Sequence, residues 1–194
     1  YADGLSAIFA FGGIYGTAVF GWGALELGLF GIILSVTGMI GAVIGGFLDD
    51  RAGAKTVILV SLVLLLIGAA GILSVDKASI LFSIGVPEKV AGSAPFSAIG
   101  EQVFLAFAIL VGLVAAPVQA ASRSLLARLA PPDQITQYFG LFAFSGKVTA
   151  FLAPFLVATV TLATGSQRLG MAAITIFLVA GFVLMLPVRE PRAR

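Results

Sequence analysis

The sequence of 194 residues contains no cysteine and no histidine. Without cysteine there is no disulfide, no thiolate metal site and no thiol redox switch. Without histidine the usual zinc ligand and the usual general base near neutral pH are both missing. Charge is scarce as well. Eleven Lys and Arg with nine Asp and Glu make up 10% of the chain, against about 25% in a soluble domain.

The placement of those few charges is more informative than their number. Uncharged runs of 22, 22, 20, 21, 20 and 20 residues separate Asp3 from Glu26, Glu26 from Asp49, Lys55 from Asp76, Glu101 from Arg123, Lys147 from Arg168, and Arg168 from Arg189. A helix needs roughly 20 apolar residues to cross a hydrocarbon core of about 30 Å. Transmembrane β-strands run about 10 residues and alternate in polarity, which these runs do not. The expected fold is therefore an all-α membrane protein of six transmembrane helices, forming one bundle over residues 1–194 with no room for a soluble domain. The spans are expected at about 5–22, 27–48, 56–73, 102–121, 138–163 and 171–188. Because the chain opens on Tyr1 with no leader-like segment, it reads as a piece of a longer polypeptide.

The connections are short except for residues 76–100, which hold Pro87, Pro95 and one apolar stretch, Ile80 to Val86, too short to span. That stretch is expected to be an interfacial segment or a flap. A Pro131-Pro132-Asp133 break precedes the fifth span, with Asp133 as the expected N-cap. Even-numbered turns and the tail hold seven Lys and Arg (Arg51, Lys55, Arg123, Arg128, Arg189, Arg192, Arg194). Odd-numbered turns hold three, Lys77, Lys89 and Arg168. The positive-inside rule then puts both termini in the cytoplasm and the 76–100 loop outside. Trp22 and Tyr138 fall where interfacial aromatic belts are expected. The net charge of +2 is accounted for by this topology, so no nucleic-acid partner is implied.

Glycine is abundant, with 24 residues, and the pairs Gly12/Gly16 and Gly41/Gly45 each share a helix face. Close helix packing and close approach to a substrate are both open for them. Lys147 interrupts the fifth span about 13 Å beyond Tyr138 by helical rise, near the middle of the hydrocarbon. Such a residue faces a cavity, snorkels to the interface, or pairs with backbone carbonyls. Facing a cavity, its ammonium would hold a substrate carboxylate or phosphate, or an acid from elsewhere. Gln119 and Ser122, one turn apart on the fourth span, are further candidates for that cavity or for packing. Tyr15 needs a partner for a mid-span hydroxyl. Glu26 and Glu101 fall at outer helix ends, and Glu26 is the better placed for proton coupling. Neither a cofactor nor a metal site is implied by this residue set.

The second turn, from Gly46 to Lys55, fits Gly-x-x-x-Asp-Arg-x-Gly-x-Lys. Asp50 lies just ahead of the third span, where a carboxylate caps a helix, and Gly53 permits a tight reversal. This pattern resembles the signature loop of the major facilitator superfamily, with Ala54 departing from it where a second basic residue is common. Three further stretches resemble the branch related to the vacuolar effluxers of fungi, with its bacterial members: Ala2-Asp3-Gly4 continuing to Phe9–Tyr15, Pro117–Ser124, and Tyr138–Leu141 with Ser145-Gly146-Lys147. The resemblance runs over nearly the whole chain and matches the C-terminal six-helix half of such a protein.

That resemblance implies a secondary transporter in a bacterial inner membrane, working by alternating access against an N-terminal six-helix half of the same polypeptide. Its partners would be the lipid bilayer and a small-molecule substrate, with efflux of amino acids as the family's analogy. Gly46, Asp50, Arg51, Gly53 and Lys55 would form a conformational latch. Enzymes are disfavoured, since rhomboid-type and HExxH chemistry both need histidine and no paired intramembrane aspartates are present. A non-transporting membrane subunit or scaffold in a larger complex is the alternative.

Overall fold

The computed structural model describes residues 1–89 and 94–190. Residues 90–93 of the long connection and Pro191, Arg192, Ala193 and Arg194 of the basic tail lie outside the described residues. Among the described residues six stretches are long and apolar enough to cross a membrane. They are α1 (Ala2–Phe20), α2 (Ala24–Ala52), α3 (Ala54–Leu73), α4 (Ile99–Leu129), the pair α5 (Ile135–Thr149) and α6 (Leu152–Thr164), and the pair α7 (Gln167–Ala172) and α8 (Ile174–Met185). The strands β1 (Ser79–Ile80) and β2 (Ile84–Gly85) lie in the long connection.

Helix ends depart from the charge-bounded spans because helical hydrogen bonding continues past the hydrocarbon. At 1.5 Å per residue the 29 residues of α2 and the 31 of α4 reach about 43 Å and about 46 Å. The surplus over a core of about 30 Å carries Asp49 and Asp50 on one helix and Arg123 and Arg128 on the other. The expected charged turn contracts in consequence. Asp49, Asp50 and Arg51 belong to the last turn of α2, and Lys55 to the first turn of α3. Gly53 alone reverses the chain, at φ 85°, a value that an L side chain adopts only with strain.

Two capping expectations are corrected. The N-cap of α5 is Gln134, without a side-chain cap, rather than Asp133. Pro131 to Gln134 closes a turn (Gln134 N–H to the Pro131 carbonyl, 3.0 Å) that carries Asp133 before the helix begins. Asp50 does not cap α3, because it sits at the C-terminal end of the preceding helix; the cap comes from elsewhere, as described below.

The fifth span is broken between Thr149 and Leu152. Pro154 explains the position: it has no N–H to give the Ala150 carbonyl, and its ring crowds that same oxygen. Lys147 therefore stands in the last turn of α5, just before this break.

The stretch Ile80 to Val86 holds the antiparallel β1–β2 pair, with Ser79 opposite Gly85 and Ile80 opposite Ile84. It is clamped by Arg168 at the start of α7. The Arg168 Nε donates to the Leu73 carbonyl at 2.7 Å, Nη1 lies 3.7 Å from Asp76, and the guanidinium sits 5.0 Å above the Phe82 ring.

The core lies between α3 and α4. Val57, Ile58, Ser61, Leu62 and Leu65 on α3 and Phe104, Ala108, Val111, Ala115 and Val118 on α4 recur at helical spacing and are buried. The helix α2 packs on the other side of α4 through its glycines. A methyl group on Gly41 would collide with the Leu113 carbonyl, and one on Gly45 would lie 2.6 Å from Pro117. Gly16 likewise makes room for the Trp22 ring, whereas a methyl on Gly12 would meet Phe30 at an ordinary contact distance of 3.9 Å. The Gly41/Gly45 pair thus serves helix packing. Along α5, by contrast, no residue is buried.

Candidate functional site

The open face of α5 forms a cleft of 420 Å³ with α4 and the start of α1. Lys147 lines it together with Gln119, Arg123, Asp3, Ser145 and Thr149. Lys147 is exposed there, and among the described residues its ammonium has no hydrogen bond or ion pair. Gln119 turns its Nε2 back to the Ala115 carbonyl at 3.2 Å, leaving its amide oxygen free of a protein donor among the described residues. Ser122 is buried behind it, donating to the Val118 carbonyl at 2.7 Å and bonded to the Tyr1 hydroxyl. The cleft thus combines two cationic side chains, one carboxylate and an amide on an otherwise apolar bundle. Chemically it suits a small solute with at least one anionic group.

The other candidates lie elsewhere. Tyr15 is buried, donates to the Val75 carbonyl at 2.9 Å and stacks on Phe104 with ring centroids 6.1 Å apart. Glu26 stands at the opposite end of the bundle from the chain termini, third residue of α2, where it accepts the Gly23 N–H at 3.0 Å. Its other oxygen is 3.6 Å from the Lys89 ammonium.

Lys89 also donates to Glu101 at 2.7 Å. Glu101 is the third residue of α4 and is fully buried. It accepts the Ala98 N–H at 3.2 Å and the Trp22 indole N–H at 2.8 Å. Burial pulls the Lys89 ammonium down, but its bonds to Glu101 and Glu26 outweigh that and hold its pKa above the ordinary value. Trp22 is in turn ringed by Phe20, Phe30, Phe96 and Phe104, at centroid distances of 5.2 to 5.8 Å.

At the end of the bundle that holds the chain termini, the loop residues meet a second network. Arg128 on α4 bonds Asp49 at 3.0 Å and Glu190 beyond α8. Glu190 accepts the Ala54 and Lys55 N–H groups at 3.0 and 2.9 Å, so it supplies the cap of α3. Lys55 donates its ammonium to the Leu186 carbonyl at 2.8 Å. Burial pushes the Glu190 carboxyl up, but the two backbone donors and Arg128 outweigh it and hold it below the ordinary range. Asp50 and Arg51 are exposed, without an ion pair among the described residues, and a methyl on Gly46 would meet nothing within 4 Å.

A family model described as "Vacuole effluxer Atg22 like" matches residues 1–194. The chain belongs to this family. Among relatives, it is 34% identical to autophagy-related protein 22 of Cryptococcus neoformans var. neoformans serotype D over 95 residues, 48% of this chain and 16% of that protein. It is 29% identical to a Bacillus subtilis (strain 168) protein named "Uncharacterized MFS-type transporter YxiO" over 196 residues, 98% of this chain and 39% of the relative. The chain thus spans less than half the length of these relatives. A solved structure titled "Inward open conformation of the xylose transporter XylE from E. coli" superposes with TM-score 0.74 at 18% identity, over 97% of this chain and 46% of that one. The fold is accordingly a six-helix half of the major-facilitator type, and the chain is an integral membrane protein. Its relatives are named as effluxer or transporter, in line with the expectation that it is not an enzyme.

Within this Atg22-like half, sequence reasoning singled out Lys147 and Gln119, which share the cleft. It passed over Arg123 and Asp3, which join them there. Their signal was present: both are charges bordering charge-free runs, one at each end of the sequence interval that folding closes. Glu190 was passed over as a lone acid in a basic tail. The grouping of Glu26, Lys89 and Glu101 had only one local sign, that both glutamates stand third in their helices and reach back to the N-cap N–H.

Proposed function

We propose that this chain is the C-terminal six-helix half of a secondary transporter that moves a small solute by alternating access against a preceding half. The observation that carries the reading is the cleft of 420 Å³ in which Lys147, Arg123, Asp3 and Gln119 converge on an otherwise apolar face. A lysine and an arginine there suit a carboxylate, and Asp3 suits an ammonium, so an amino acid satisfies all three. The analogy with the family's description as an effluxer favours export. Gln119 orients the solute, and Ser122 supports the α4 surface behind it. Tyr15 and Glu26, remote from the cleft, act through the far end of the bundle.

In this reading the network of Asp49, Arg128, Glu190 and the α3 N-terminus works with Gly46, Asp50, Arg51, Gly53 and Lys55 as a latch favouring one of two states. The lysine and arginine distribution supports a cytoplasmic position for that end and for both termini of the chain. The Bacillus relative supports a bacterial cytoplasmic membrane. The test is amino-acid flux in liposomes containing the full-length protein. Lys147→Ala is expected to lower flux at least tenfold, the loss of about 1.4 kcal/mol of binding, while Lys147→Arg retains part of it. Wild-type flux in Lys147→Ala with normal incorporation would remove Lys147 from the mechanism. No flux of any amino acid by the wild type would favour a scaffold role.

A further inference from the structure

The hairpin β1–β2 lies level with the hydrocarbon boundary at the end of the bundle opposite the chain termini. The 20 residues of α3 reach about 30 Å, the thickness of the core, so its C-cap Ser74 marks that boundary. The Phe82 N–H donates to the Ser74 carbonyl at 3.0 Å, and Arg168 in the first turn of α7 holds the same segment. Ile80 packs against the core. Beyond it Leu81, Phe82 and Ile84 stand out, 49%, 66% and 50% exposed.

The turn between the strands carries the wrong side chains for its backbone. Leu81 and Phe82 are the central residues of the Ile80–Ser83 turn, which the Ser83 N–H closes on the Ile80 carbonyl at 3.3 Å. Both are left-handed, at φ 49° and 67°. Short turns that need this conformation ordinarily use glycine, asparagine or aspartate, which bear it with less strain and leave a polar tip. Here two large apolar side chains occupy the strained positions and face outward. Turn chemistry does not account for them; contact with an apolar phase does.

We propose that this hairpin is a membrane anchor, with Leu81, Phe82 and Ile84 inserted into the headgroup and upper acyl region of the leaflet at that end. The neighbouring surface identifies lipid as the occupant. Helices α3 and α8 pack together and expose Val60, Ile67, Ile176 and Val183, as spans facing lipid do, and the hairpin stands at the rim of that surface. The cleft draws its lining from α1, α4 and α5 instead, so a preceding half closing over it leaves the hairpin side free. Lys77, just before β1, is exposed with no ion pair among the described residues, a cation at headgroup level. Apolar side chains of interfacial elements reach about 5–10 Å into this zone. The hairpin backbone then stays among hydrated headgroups, where its unpaired N–H and C=O groups find water. Because Arg168 ties the hairpin to α7 and the Ser74 carbonyl ties it to α3, the anchor moves with those two helices.

The experiment places a spin label at Ile84→Cys in the full-length protein, any other cysteines removed, in liposomes. Its collisions with oxygen, which concentrates in lipid, are compared with those of a nickel chelate confined to water. A label at the exposed Glu88, as Glu88→Cys, gives the aqueous reference. The oxygen-to-nickel ratio is expected to be several-fold higher at residue 84 than at residue 88. A ratio no higher than at residue 88 would put the hairpin in water, and few collisions with either probe would put protein against it; both overturn the anchor. Leu81→Asn with Phe82→Gly relaxes the turn and removes the apolar tip, and is expected to bring the residue 84 ratio down to the reference. An unchanged ratio there would overturn the role of the tip. If that variant fails to insert, the label beside the unaltered tip decides alone. No flux is measured, so the outcome is independent of the transport reading.

Discussion

Glu190, near the end of the chain, accepts the backbone N–H of Lys55 at 2.9 Å and so closes the N-terminus of a helix 135 residues earlier in sequence. The neighbouring Ala54 N–H is taken by the same carboxylate. Two donors that would otherwise be orphaned at the start of α3 are thereby satisfied, and the negative charge complements the helix dipole. Because Arg128 holds the same carboxylate, the arrangement ties the start of α3, the end of α4 and the segment after α8 into one unit.

Glu190→Ala is expected to lower stability by about 1 kcal/mol, the typical worth of an N-cap. Faster hydrogen exchange at the Ala54 and Lys55 amides is the specific sign. The Glu190 carboxyl is held below the ordinary range, so its stabilisation is complete above the unfolded value of about 4.3 and is lost as pH falls through the lower folded value. The variant should therefore match the wild type in acid and differ from it near neutrality. A stability difference that persists unchanged at low pH would contradict the cap.

Arg128→Ala should expose a second cost. Asp49 lies in the last turn of α2, where a negative charge opposes the helix dipole unless a cation answers it. Removing the guanidinium leaves that repulsion uncompensated, by about 0.3–1 kcal/mol. Asp49→Asn in the Arg128→Ala background is therefore expected to recover stability, although Asn is the weaker partner for an intact arginine. Thermal midpoints of the four proteins in detergent give the coupling directly; strict additivity would mean that the 3.0 Å contact contributes nothing.

Much of the architecture was legible because a bilayer imposes one repeated demand, and six charge-free intervals meet it. The helix ends were not, since charges such as Asp49 and Arg123 mark the limit of hydrocarbon rather than the end of hydrogen bonding. Lys147 and Gln119 were legible as a polar exception within apolar helices. Arg123 and Asp3 beside them were not, because only the folded bundle brings the start of α1 against α4 and α5. The cap of α3 was assigned to Asp50 on proximity in sequence, whereas a reversal through Gly53 alone leaves that residue on the preceding helix. The break after Lys147 was readable from Pro154, but a long apolar run conceals a helix break that costs no charge.

Gly41→Ala tests the contact of α2 with α4. The added methyl would meet the Leu113 carbonyl, backbone that no rotamer change can move. Overpacking of this kind costs about 1–3 kcal/mol, and the thermal midpoint should fall accordingly. Gly28→Ala, on the same helix with nothing within 4 Å, is expected to be neutral or slightly stabilising. Equal behaviour of the two would mean that α2 shifts freely along α4.

Pro154→Ala addresses how Lys147 is aimed. Alanine restores an N–H able to bond the Ala150 carbonyl and removes the ring that crowds it, so α5 and α6 should merge into one continuous helix. The distance between spin labels at Tyr138 and Leu162, both exposed, should then change as the break between α5 and α6 closes. Lys147, in the turn before the break, is expected to leave its place beside Gln119 and Arg123. Flux by the full-length protein should fall even though the helix itself gains a hydrogen bond and loses no packing. Unchanged label distance would locate the cause of the break in Ala153 and Val157, which are buried against the bundle and would hold α6 in its present direction regardless of residue 154.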